Sequence, residues 1–302
     1  MGKLYVGDSV STPAIIKIEE VPKTKFGVSI DNIIGDVDVN GQLSAPGREF
    51  VFNGAGIKSL GTDALAYKFA AQGVYTSSPI KKILLPDLLQ ANASSLRYVA
   101  YHANNLIEVD LGLISDINET TVLSNGFESA YRLTTVYAPN VTTISGYSAC
   151  EYAFRSTSLT SNAFPNLTTI SGNNACIYMY ADCTFDELGL DNLVTISGAS
   201  ACQSMFQALK IEEARFPKLE SITGSQACRN WFLNSTVKKM YFPALTIVDA
   251  GVFGTAAYNG AFGSCSQLTE IHFRADAQAT IEAMSGYSAK WGATNTTIYF
   301  DL

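Results

Sequence analysis

From Leu133 the chain reads LTTVYAPNVTTISGYSACEYAFRSTS, and the same pattern returns at Leu159, Phe185 and Ile211, each unit 26 residues long. Further units start at Ile80, Leu106, Val237 and, after a five-residue insertion, Leu268, and a last strand-like segment runs from Ile298 to Leu302. A degenerate unit begins near Glu49. A period in this range means a stacked architecture, because one such unit is too small to bury its own apolar face and several in register can.

Numbering the unit 1 to 26, positions 1, 4, 6, 9 and 12 are mostly apolar, position 7 is Pro in five units and position 14 is Gly in four. Position 4 is polar once, at Asn162. Positions 4 and 6 face one way along an extended segment while 3 and 5 face the other, the alternation of a strand. Pro at 7 ends it, having no N–H for a ladder. Positions 17, 18, 21 and 22 recur as Ala149, Cys150, Ala153, Phe154, then Ala175, Cys176, Met179, Tyr180, with matching sets at Ala201 and Ala227. Spacings of one, three and four predict one face of a short helix.

The expectation is therefore an α/β solenoid of about eight to nine strand-turn-helix units of ~26 residues. Strands stack ~4.8 Å apart and helices need ~8–10 Å, so the strand side is expected to be concave. Residues 1–47 fit no unit and read as an N-terminal β cap or attachment segment, with residues 48–302 as the solenoid. Strand-like runs there are Leu4–Val6, Ile15–Ile18 and Val28–Ile30.

The unit LxxVxFPxLxxIxGxxAxxxxF, with AFGSCSQL at Ala261–Leu268, resembles the BspA-like leucine-rich repeats of bacterial surface proteins and some prophage-encoded proteins. The resemblance covers about residues 48–302. It implies a non-catalytic recognition or adhesion module that contacts a protein or glycan on a host or neighbouring cell. The alternative it leaves open is a prophage tail-associated structural or host-recognition protein, with residues 1–47 attaching it to the particle. Extracellular surface or virion is the location implied, although the first residues lack the apolar core of a signal peptide.

Composition narrows the function classes. Charged residues make up 16% of the chain, below the ~25% of ordinary globular proteins, and the net charge is −7. An acidic chain without a Lys/Arg cluster repels phosphate backbones, so nucleic acid is not an expected partner. No apolar run reaches the ~18 residues of a membrane span, and no membrane insertion is expected. His102 and His272 are more than six units apart, and GxSxG, HExxH, Walker and CxxC motifs are missing. No catalytic residue, metal site or cofactor is expected, and an enzyme of unknown type is the remaining, least favoured class. Cys150, Cys176, Cys202 and Cys228 fall on one position and read as small core residues, with Cys183 and Cys265 elsewhere. Equivalent helical positions lie too far apart for disulfides. Asp36–Gly41 begins like a calcium loop, but its twelfth position is Gly47 rather than Glu, and Asn40–Gly41 is equally a hairpin turn.

Partner contacts are expected on the strand face, at positions 3 and 5, where residues vary while scaffold positions repeat. The candidates are Tyr137, Arg215, Tyr241 and His272 at position 5, and Glu187, Glu213, Lys239 and Glu270 at position 3. Tyr and Arg are the side chains most often found at interface hot spots. A second candidate is the glycine-rich insertion from Ala250 to Gly263, whose Phe253 and Tyr258 are expected to pack rather than to bind.

Overall fold

The computed structural model describes residues 14–17, 50–71, 78, 80–255 and 260–302. It is a parallel β-solenoid of about nine turns. The strand at positions 3–5 stacks on its equivalents to form a first ladder, in two parts. One part orders Ala14–Lys17, Phe50–Asn53, Ile80–Leu84, Glu108–Asp110 and Thr135–Tyr137; the other orders Glu213–Arg215, Lys239–Phe242, Glu270–Phe273 and Thr297–Phe300. Positions 11 and 12 form a second ladder that is continuous from Asp116–Ile117 through Thr143–Ile144, Thr169–Ile170, Thr195–Ile196 and Ser221–Ile222 to Ile247–Val248. Register follows the repeat: Ile144 pairs with Ile170, and Ile170 with Ile196.

The third side of each turn corrects the expected helix. From Gly146 to Thr157 the chain is a run of tight turns in which bonding alternates. Glu151, Ala153 and Arg155 donate to the carbonyl three residues back, whereas Cys150, Tyr152 and Phe154 donate to Ala175, Ile177 and Met179 of the next unit at 2.8–3.0 Å. A helix would use every N–H within its own segment. Here alternate N–H groups are turned towards the neighbouring unit by a left-handed residue at every fourth position: Ser148, Tyr152 and Ser156, then Asn174, Tyr178 and Asp182, with φ of 48–61°. That conformation costs an L-residue about 1–2 kcal/mol, offset by the inter-unit bond it permits. The cause is the rise: two strand ladders fix ~4.8 Å per turn, which leaves no room for helices needing ~8–10 Å. The wedge argument for a concave strand face falls with the helices, because all three sides are bonded at the same spacing.

The inward positions are those expected. Ala149, Cys150, Ala153 and Phe154 and their equivalents in the next three units are fully buried. Position 22 forms a stacked ring column, Phe127–Phe154–Tyr180–Phe206–Phe232, with centroids 4.9–6.0 Å apart. Glycine at position 14 serves close approach: a Cβ at Gly146, Gly172 or Gly198 would lie 2.0–2.3 Å from a carbonyl of the preceding unit. At the C-terminal end the short helix Gln278–Glu282 and the turn Tyr287–Gly292 seat Trp291, fully buried against Phe253, Phe262 and Phe273. Phe253 packs as expected, and Tyr258 lies outside the described residues. So do Asp36–Gly41 and most of residues 1–47; within that segment Ala14–Lys17 runs parallel to Phe50–Asn53, with Ile15 opposite Val51.

Candidate functional site

Register in the C-terminal part of the first ladder sets two outward columns side by side. Glu213, Lys239, Glu270 and Thr297 are consecutive partners in one, and Arg215, Tyr241, His272 and Tyr299 in the other. The fold thus brings together Glu213, Arg215, Lys239, Tyr241, Glu270 and His272 of the predicted set. Tyr137 is separate: it lies on the last strand of the other sheet, opposite Asp110, and is 54% exposed. Glu187 is on no strand, because its unit leaves the ladder.

In the aromatic column the Arg215 guanidinium lies 4.0 Å from the Tyr241 ring centre. The Tyr241 and His272 rings stack at 4.8 Å, and those of His272 and Tyr299 also at 4.8 Å, with planes within 14°. The spacing is the strand spacing, so parallel in-register pairing is what stacks the rings. Polar contacts then fix each member. Arg215 Nη2 donates to Glu213 Oε2 at 2.8 Å, and Lys239 Nζ meets Glu270 Oε2 at 3.0 Å. His272 contacts Glu270 Oε2 through Nε2 at 3.2 Å and Asp301 Oδ1 through Nδ1 at 2.9 Å. Lys239, and then His272, hold the Glu270 carboxyl below the usual carboxylate range, and Glu270 raises the Lys239 ammonium above its own.

The result is a preordered, nearly charge-balanced strip. Both His272 nitrogens are engaged by carboxylates, so the imidazole is held as a structural spacer between two phenols. Sequence reasoning missed Tyr299 and Asp301. The signal was there: Ile298–Phe300 repeats the inward–outward–inward pattern of Ile271–Phe273, which places Tyr299 at position 5.

The thiols of Cys150, Cys176, Cys183, Cys202, Cys228 and Cys265 are free and buried. The helix spacing that argued against disulfides is replaced by ladder spacing, and burial pushes Cys150, Cys176 and Cys202 well above the ordinary thiol range. Among the described residues no three His, Cys, Asp or Glu side chains are grouped to hold a metal ion.

No family model matches the chain, and no curated protein matches it. Among solved structures, it is similar to a leucine-rich repeat protein from Bacteroides ovatus, at 12% identity and a TM-score of 0.41, covering 100% of this chain and 75% of that one. It is also similar to a leucine rich cell surface protein from Faecalibacterium prausnitzii, at 13% identity and a TM-score of 0.21, covering 99% and 92%.

Proposed function

We propose that this chain is a non-catalytic recognition module of the BspA-like kind, and that it binds a protein through the strip formed by Arg215, Tyr241, His272 and Tyr299. The stacked column carries the reading. Ordering these side chains before binding removes the entropy that free side chains lose at an interface. Tyr and Arg with paired charges around them are also the composition of a contact patch.

The geometry favours protein over glycan. Tyr241 is covered by Arg215 on one side and His272 on the other, and His272 by two tyrosines. A sugar ring needs an open aromatic face, whereas Tyr241 and His272, covered on both sides, offer ring edges, a hydroxyl and flanking charges, which suit a polar protein surface, and only Tyr299 at the end of the column has a single stacked face. The location we infer, a bacterial surface or a phage particle, rests on the unit's resemblance to BspA-like repeats.

The test is a paired array screen of purified surface proteins and glycans with wild type, Tyr241→Ala/Tyr299→Ala and Tyr137→Ala. The reading expects a protein ligand that is lost with the double variant and kept by Tyr137→Ala. A ligand bound equally by all three places the site elsewhere, and a ligand set made only of glycans rejects the partner class.

A further inference from the structure

The first ladder is interrupted between Thr135–Tyr137 and Glu213–Arg215. Within each of its two parts adjacent turns are closed by bonds such as Leu85 N–H to Asp110 O and Leu111 N–H to Tyr137 O, both 2.8 Å, and Phe216 N–H to Tyr241 O at 3.0 Å. Among the described residues the equivalent bonds from Ala138 to Ala163, Phe164 to Gly189 and Leu190 to Arg215 are missing, and the last of these junctions opens into a cleft. Among the described residues no backbone hydrogen bond joins 186–191 to 212–215.

The cause lies in two departures from the repeat. Gly189, at position 5, has φ +67°, which turns the chain out of the strand. Asn162, at position 4 of the preceding turn, then draws this segment back: its backbone N–H donates to Leu188 O, a carbonyl that in the ladder would face the following turn, at 3.3 Å, and its Nδ2 donates to Gly189 O at 3.1 Å. This turn is thereby bonded back and released from the one after it. Pairing resumes on both flanks, at Thr184–Lys210 and Thr195–Ser221. Between them lies a cleft of about 450 Å³, within the ~300–1,000 Å³ range of ligand sites.

Its walls differ. One carries Asp186, Glu187 and Asp191, none of which forms an ion pair among the described residues; the other carries Glu212, Glu213 and Arg215. Glu213–Arg215 is also the terminal strand of its sheet, so one of its backbone edges faces the cleft with no strand partner. Such an edge is a template for a further strand, and natural proteins cover or blunt it unless it is used.

We propose that the cleft receives an extended Lys- or Arg-rich peptide, which adds as a strand to the edge of Glu213–Arg215. The edge supplies backbone hydrogen bonds in strand register. Every second side chain of an extended peptide points the same way, so basic residues at alternate positions all meet the acidic wall. Glu213 is paired with Arg215 and Glu212 with Lys238, so the three carboxylates left without an ion pair among the described residues, those of Asp186, Glu187 and Asp191, define the charge of the occupant. The cleft shares Arg215 with the aromatic strip, while Tyr241, His272 and Tyr299 line no part of it.

The probe is a fluorescein-labelled, acetylated peptide of about ten residues alternating Lys and Thr, compared with one alternating Lys and Pro, which has equal charge but lacks half the backbone donors. Fluorescence anisotropy is expected to show binding of the Lys–Thr peptide and about tenfold or weaker binding of the Lys–Pro peptide. Glu187→Gln/Asp191→Asn is expected to weaken the Lys–Thr peptide by about tenfold, and Tyr137→Ala, on the other sheet, to leave it unchanged. Hydrogen exchange should show new protection at amides 212–216 when the peptide is present. Absence of binding, equal affinity for both peptides, displacement by spermine at the same charge concentration, or protection confined to other turns overturns the proposal.

Discussion

Tyr180→Phe separates the structure from the repeat pattern, because the two predict opposite results. Position 22 is Phe in the neighbouring units, at Phe154, Phe206 and Phe232, so the pattern makes Phe the natural residue there. The phenol is fully buried, and its hydroxyl has two partners. It donates to Asn162 Oδ1 at 2.7 Å and accepts from Ala163 N–H at 2.9 Å. Removing one oxygen leaves the ring stacked on Phe154 and Phe206 and orphans both groups in a dry interior. Each costs about 1–3 kcal/mol, so the loss is expected to be about 2–6 kcal/mol. Urea unfolding followed by the fluorescence of Trp231 and Trp291, both fully buried, and by circular dichroism measures it where the two probes coincide. In an Asn162→Val background one of the two partners is already gone, so Tyr180→Phe should cost less there, with a coupling of about 1–3 kcal/mol. A Tyr180→Phe protein as stable as wild type, or an equal cost in both backgrounds, refutes the account of the polar pair.

Three further outcomes follow from the packing and the charges. Gly172→Ala should destabilise the protein by at least about 1–3 kcal/mol in the same urea assay, because its Cβ would lie 2.3 Å from Gly146 O and 2.7 Å from Ser145 O, backbone atoms that no rotamer change can move. Native protein at mildly alkaline pH should resist a thiol reagent at all six cysteines and react at all six in urea, since burial keeps the thiolate form out of reach; rapid labelling of any native cysteine contradicts the core assignment. Glu270 should titrate by carboxyl NMR below an unstructured Glu and move back up in Lys239→Met. With the folded value lowered, its pairing is complete above the unfolded value and is lost as pH falls through the folded one.

Stacking, register and the inward positions were legible because each is set by something that recurs. Apolar residues at 1, 4, 6, 9 and 12 name the core, and in-register parallel stacking then follows from a constant 26-residue period. The helix was misread for a physical reason. Positions 17, 18, 21 and 22 satisfy a period of 3.6 and a period of 4 equally well over six residues, and only the second fits a strand-spaced stack. A distinguishing signal existed at positions 16 and 24, where Ser148, Asn174, Ser200 and Gln226, then Ser156, Asp182, Ala208 and Asn234, are small or short polar side chains in most units, although position 20 is Tyr152 and Tyr178 as often as Ser204 and Asn230. Asn and Asp tolerate a left-handed backbone better than other L-residues, and a helix face has no such need.

The partner face was legible only in part, for the complementary reason. Position in the unit identifies outward residues, so Arg215, Tyr241 and His272 could be grouped by number alone. It cannot show that a turn has left the ladder, because that depends on one residue's dihedral and another's side-chain bonds. Glu187 was therefore assigned to a strand that Gly189 and Asn162 prevent from forming. In a stacked protein the repeated positions hold neighbouring turns together and have little freedom to do anything else. Chemistry has to enter through positions the stack leaves free or through units that break the pattern. The aromatic strip is of the first kind, since outward residues can change at little cost to packing. The cleft is of the second kind: Asn162 replaces an apolar core residue, and its cost is met by Tyr180, a second departure two thirds of a unit away. Asn162 and Gly189 together shape the junction that opens into the cleft, and Tyr180 supplies the buried partner that lets Asn162 stand in the core.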